Sequence, residues 1–99
     1  DNTCATNAEL IGSIALDTKT PIIAGEEGIA TGCGVATLTI SYYDIGYKTG
    51  EMAYEILVNG ADPATMAIEY APQFTPKYNP TICEELGIQP LDGYEAIEG

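Results

Sequence analysis

Apolar positions recur at two spacings along this chain, and the change from one to the other marks out its elements. In residues 4–17, Ala5, Ala8, Ile11, Ile14 and Ala15 share one helical face, with Thr6, Glu9 and Ser13 mostly away from it. A helix is predicted there with Thr3 as its cap. Thr18 to Pro21 ends it, since the residue before a proline is pushed out of the α region. The apolar run Pro21-Ile22-Ile23-Ala24 then reads as a strand ending on Gly25-Glu26-Glu27-Gly28. Residues 28–34 hold glycine at 28, 32 and 34 and are expected to form a turn or loop. Val35, Thr37, Thr39 and Ile40 make 35–41 a β-branched strand.

The clearest helical period lies in 44–58. Ile45, Thr49, Met52, Ala53, Ile56 and Leu57 form one stripe, and Lys48, Glu51 and Glu55 lie largely on the other side. Asp44 sits where an N-cap belongs, and Asn59-Gly60 closes the helix. Gly46 and Gly50, four apart on one side, suggest close approach of another backbone. Met66 to Tyr70 reads as a short strand. The stretch 73–78 reads as an edge strand or crossover, because Pro72 and Pro76 would each forfeit a ladder donor in a central strand. Asn79-Pro80 starts a helix over 80–86 that Gly87 ends. The acidic tail 88–99 is expected to be loop with at most one helical turn. The pattern is that of an α/β fold with parallel strands near 21–24 and 35–41, in a chain that opens on a helix with no strand before it.

Charge narrows the function classes. Fifteen acidic residues against Lys19, Lys48 and Lys77, with no Arg and no His, give a net charge of −12. Nucleic acid and anionic membrane surfaces both need Lys or Arg, so neither is an expected partner. Without His there is no imidazole base, no Ser-His or Cys-His pair and no His-containing zinc site. Cys4, Cys33 and Cys83 form no metal-binding or disulfide pattern and read as small hydrophobes. No catalytic residue, cofactor or metal is expected, although a hydrolase fragment working through two carboxylates stays chemically open, as does a purely structural or protein-interaction domain. The absence of Arg leaves a ligand carboxylate to be met by backbone N–H, Asn, Thr, Ser or Tyr. A zwitterion or cation is therefore a more natural ligand than a phosphate ester or a dicarboxylate.

Three clusters are candidates for ligand contact. Glu26 and Glu27 stand at a strand end between glycines; they are either a solvated acidic loop or supply a carboxylate to a ligand ammonium or hydroxyl. Asp1, Asn2 and Thr3 are either a plain turn and cap, or present the Asn2 amide and the first free N–H groups of the helix to a ligand carboxylate. Tyr43 and Asp44 follow a strand and open a helix. One of the adjacent tyrosines can stack on a ligand, whereas capping is the simpler role for Asp44.

These clusters also carry a resemblance. Asp1-Asn2-Thr3, Pro21 through Gly28, Ala36-Thr37-Leu38 and Tyr42 through Gly50 resemble, in order and spacing, the ABC-transporter substrate-binding proteins that include tryptophan and tyrosine binders, within the type I periplasmic binding protein group. Asn79 and Leu86-Gly87-Ile88 resemble that family's last helix, while Thr31-Gly32-Cys33-Gly34 departs mildly from its pattern. The resemblance implies the final third of a two-lobed receptor whose α/β lobes close on a ligand. Residues 1–34 would end the second lobe, 35–65 would form a crossover strand and helix of the first, and 66–99 would return. Asp1, Asn2, Thr3, Glu26, Glu27, Tyr43 and Asp44 would line the cleft. The implied ligand is a small amphiphile such as an aromatic or branched amino acid. The implied partner is the membrane permease of an importer, and the implied location is extracytoplasmic, in the periplasm or on a cell-surface lipoprotein. Cys4 does not match the family's lipid-bearing cysteine. A fragment of this kind would leave edges and apolar faces bare, so the chain is expected to self-associate or to be a piece of something longer.

Overall fold

The first helical stretch is two helices, α1 (Asn2–Thr6) and α2 (Ala8–Thr18), in a computed structural model that describes residues 1–98. Asn7 separates them: its N–H is shared between the Thr3 and Cys4 carbonyls, and its side-chain amide also donates to Thr3 O at 2.9 Å. The cap of α1 is Asp1 rather than Thr3, with its carboxylate accepting the Cys4 N–H at 2.8 Å. The buried line of α2 is Ala8, Gly12 and Ala15, and Ile14 of the predicted stripe is exposed. Small residues are buried here because another helix crosses at very short range.

That helix is α3 (Glu27–Cys33), in the segment expected to be a loop. Its glycines serve packing rather than turning. A Cβ on Gly12 would stand 2.4 Å from the Gly32 carbonyl oxygen, and one on Gly32 would stand 2.6 Å from Ala8 Cβ. Neither glycine has a positive φ. The close crossing of α2 and α3 compensates for the poor helix propensity of a seven-residue segment with two internal glycines.

Between and after these helices come β1 (Ile23–Ala24), β2 (Ala36–Thr39), β3 (Thr75–Tyr78) and β4 (Glu95–Ala96), in the spatial order β1-β2-β3-β4. The β1–β2 and β3–β4 pairs are parallel and β2–β3 is antiparallel, so the expected parallel sheet is mixed. β3 is interior rather than an edge. The Asn79 N–H donates to Val35 O at 2.9 Å, which makes that pair, and by alternation Thr37 with Lys77, the hydrogen-bonded ones. Pro76 opposite Leu38 is then a non-bonded pair, and β4 begins its pairing only at Lys77, so the missing N–H costs no ladder bond. The 66–70 stretch forms no strand, and the tail contributes β4 instead of a helical turn.

The last helix, α5 (Pro80–Leu86), begins and ends as the sequence predicts. Asn79 accepts the Ile82 N–H at 3.2 Å, Pro80 occupies the first turn, and Gly87 closes it at φ 69°. Among the described residues two small clusters form the core: Ala24, Ala30 and Ile97 with Ile29, and Val35, Ile82 and Cys83 with Leu16, Tyr78 and Leu86 among others.

The chain divides into two compact units, Asp1–Thr39 with the chain from Thr75 onward, and Ile40–Phe74. The second is built on α4 (Tyr42–Leu57), capped by the Ser41 hydroxyl, which accepts the Asp44 N–H at 3.1 Å; Asp44 itself is in the first turn and not the cap. No residue of α4 is buried, and a Cβ on Gly46 or Gly50 meets nothing within 4 Å, so the close backbone approach expected there is not made. Lys48 of α4 pairs with Glu69 at 3.2 Å, an interaction that raises the pKa of its ammonium.

Candidate functional site

The carboxyl ends of β1 and β2 point the same way, and β3, running oppositely, starts at that edge. Open α/β sheets bind ligands at such an edge because strand ends and helix starts converge there. Gly25, Glu26 and Glu27 leave β1 at this point and enter α3. α1, with the Asp1-Asn2-Thr3 block, packs against α3, so two of the three predicted clusters belong to one unit. Tyr43 and Asp44 lie on α4 in the other.

The two glutamates have separate duties. Glu26 is the cap of α3, with its carboxylate accepting the N–H groups of Gly28 and Ile29. Glu27, the first residue of the helix, points elsewhere: both of its oxygens lie 3.1 Å from Lys77 Nζ. Their side chains are 38% and 25% exposed respectively, so the pair is partly withdrawn from water. The register explains the meeting. Ala24, Thr37, Lys77 and Glu95 stand opposite one another across the four strands and project from the same face, over which α3 lies. Thr37 is 1% exposed and its hydroxyl has no hydrogen-bond partner among the described residues.

Lys77 is the residue that sequence reasoning missed. One signal was available, a cation in a chain with three, placed in an extended stretch. Its partner lies 50 residues away, and nothing local indicates the register that joins them.

Asp1 is engaged as a cap, and Asn2 and Thr3 are exposed on the first turn of α1. In the second unit Tyr43 is 78% exposed and stacks on Tyr47, with ring centroids 6.5 Å apart. Asp44 receives a long contact from Gln73 Nε2 at 3.5 Å. A groove of 510 Å3 between α2, α3 and α5 contains none of the predicted residues. The Asn79 amide on its wall already donates to the Ala30 and Thr31 carbonyls. Among the described residues no group of three or more Cys, Asp and Glu is arranged to hold a metal, and no helix is long and apolar enough to cross a membrane.

Comparison with known proteins bears on the family and the fold. The curated tyrosine-binding protein of Clostridioides difficile is 39% identical over 57 residues, which are 58% of this chain and 16% of that protein. The ligand-free, open structure of a substrate-binding protein with adhesive properties from Clostridium difficile superposes with a TM-score of 0.79 at 31% identity. It matches 99% of this chain and 34% of its own length. A conserved domain protein of Vibrio cholerae gives 0.81 at 26% identity with the same coverage. A Streptococcus pneumoniae ABC domain in complex with L-Trp gives 0.74 at 28% identity, over 87% of this chain and 31% of its own. The chain thus spans about a third of the solved chains it matches, and the α/β fragment of a periplasmic-binding-protein-like fold expected from the resemblance is the fold found. The sequence profile of the ABC transporter substrate binding proteins matches residues 1–93, nearly the whole chain, and with this sheet and these relatives it shows that the chain belongs to that family.

Proposed function

We propose that this chain is the final third of an extracytoplasmic receptor that captures an aromatic amino acid and hands it to an ABC importer, doing no chemistry on it. The observation that carries the reading is the family match over residues 1–93, joined to relatives named for tyrosine binding and solved with L-Trp. The division of the chain at Thr39 and Phe74 supports a two-lobed assignment, with Ile40–Phe74 in the first lobe and the remainder in the second. The intact receptor is then a periplasmic or lipid-anchored protein, and the exposed apolar residues Leu57, Ile68, Tyr70 and Phe74 are surfaces that its other two thirds cover.

In this reading Glu27 meets the ligand ammonium, Asn2 and the start of α1 meet the carboxylate, and Tyr43 packs on the ring. Glu26 and Asp1 cap the helix starts that carry Glu27 and Asn2, and Thr3 and Asp44 line the cleft beside those groups. The capping of α3 by Glu26 and the pairing of Glu27 with Lys77 weigh against a two-carboxylate hydrolase, since neither glutamate is left as a free acid or base. The test is calorimetric titration of the intact receptor with L-tyrosine and L-tryptophan. One of them should bind, and Asn2→Ala and Glu27→Gln should each weaken it by tenfold or more, the order expected when a charged hydrogen bond is lost from a site. Unchanged affinity in both variants refutes the site. Failure of both amino acids to bind refutes the ligand class.

A further inference from the structure

The ion pair between the start of α3 and β3 has a shape that suits one class of ligand. Lys77 is fixed from below by its place in an interior strand, between the buried Thr37 and Glu95 of the same row. Glu27 is fixed from above as the first residue of α3. Residues 23–39, which supply β1, α3 and β2, contain no other cation. We propose that Lys77 is a specificity-determining residue of the ligand cleft, selecting zwitterionic amino acids over the corresponding amines. The inference rests on the reading that Glu27 faces the ligand.

The carboxylate of Glu27 takes one contact from Nζ on each oxygen, which leaves each oxygen a second acceptor site, and the ammonium retains a donor as well. The charged atoms of the pair are 3.1 Å apart. In an α-amino acid the ammonium nitrogen and a carboxylate oxygen, three bonds apart, stand at about 3 Å. Laid head to tail, the ligand and the pair make a square of alternating charge: ligand ammonium on Glu27, and one oxygen of the ligand carboxylate beside Lys77 while the other is met by Asn2 and the start of α1. A bare amine fits half of that square and faces an already neutralised glutamate. Partial withdrawal from water makes each of these contacts matter more than it would on an open surface. An ion pair acting only as a staple between β3 and α3 would be worth little and would be indifferent to the ligand's carboxylate.

The experiment uses the intact receptor and two pairs of probes, L-tyrosine against tyramine and L-tryptophan against tryptamine, titrated into wild type, Lys77→Met, Lys77→Arg and Glu27→Gln. Wild type should prefer the amino acid. Lys77→Met, which keeps the aliphatic stem, should lower that preference about tenfold, chiefly through weaker amino-acid binding. Lys77→Arg should retain most of the preference. Glu27→Gln leaves the Lys77 charge unbalanced, so it should weaken the amine more than the amino acid and widen the preference. This opposite movement supports the proposal even where Lys77→Met does not fold. A preference unmoved in both Lys77→Met and Glu27→Gln, in protein that still binds the amino acid, overturns the role of Lys77 alone. Binding of neither amino acid to wild type overturns the proposed function, and this inference with it.

Discussion

Replacing Asn79 should unfasten two helices at once. Its side chain is 8% exposed, and its oxygen caps α5 while its amide donates to the Ala30 and Thr31 carbonyls at 3.1 Å, in the last turn of α3. Asn79→Ala removes an N-cap, typically about 1 kcal/mol. It also strips Thr31 of its carbonyl partner at a half-buried site, about 1 kcal/mol or more, and Ala30 of a second bond worth about 0.5–1 kcal/mol, although Ala30 keeps the Gly34 N–H. The sum is about 3 kcal/mol, a large part of the roughly 5–15 kcal/mol that holds an ordinary domain together. With a urea slope of about 1.5 kcal/mol/M, suited to a small chain, the unfolding midpoint should fall by about 2 M. Asn79→Asp separates the contributions. It keeps the capping oxygen and turns a second, charged one toward two carbonyl oxygens, so at neutral pH it should be no more stable than the alanine variant. Urea unfolding followed by far-UV circular dichroism reads both. An alanine variant within about 0.5 kcal/mol of wild type, or an aspartate variant matching wild type, would refute the account of Asn79 as the joint between α3 and α5.

Gly46→Ala and Gly50→Ala should each raise the thermal midpoint of the chain, because a methyl group at either position meets open space and alanine is the better helix former by about 0.8–1 kcal/mol; a fall in the midpoint would mean that another backbone does cover that face of α4. Cys4 is exposed and should react at once with a disulfide reagent, whereas Cys33 and Cys83 should react only on unfolding. Equal labelling of all three thiols in native protein would contradict their packing. Burial raises the thiol pKa of both inner cysteines, with the neighbouring Cys4 adding to the effect at Cys33. Their contribution to stability should therefore be intact below the usual thiol range and be lost as pH climbs through the raised native values, which alkaline urea titrations with and without Cys33→Ala and Cys83→Ala would detect.

What the sequence determined by itself is what depends on neighbours along the chain. Asn79, Pro80 and Gly87 specify the start and stop of α5 because a cap, a ring-locked φ and a left-handed glycine act within a turn of where they stand. The period of α4 is equally local, and the family blocks keep their order and spacing whatever surrounds them. The absence of His and Arg from these residues removes imidazole and guanidinium groups from the chain's own repertoire without reference to any fold. The tertiary structure decided the rest. Residues 27–33 are helical because Gly12 and Gly32 let two helices cross at contact distance, and the gain comes from a partner helix that no window of sequence contains. Pro76 is at home in an interior strand because the register puts its missing donor at a non-bonded position. Lys77 reaches Glu27 because two strands and a helix bring together residues 50 apart, and register of that kind is set by which faces are buried rather than by either residue's neighbours.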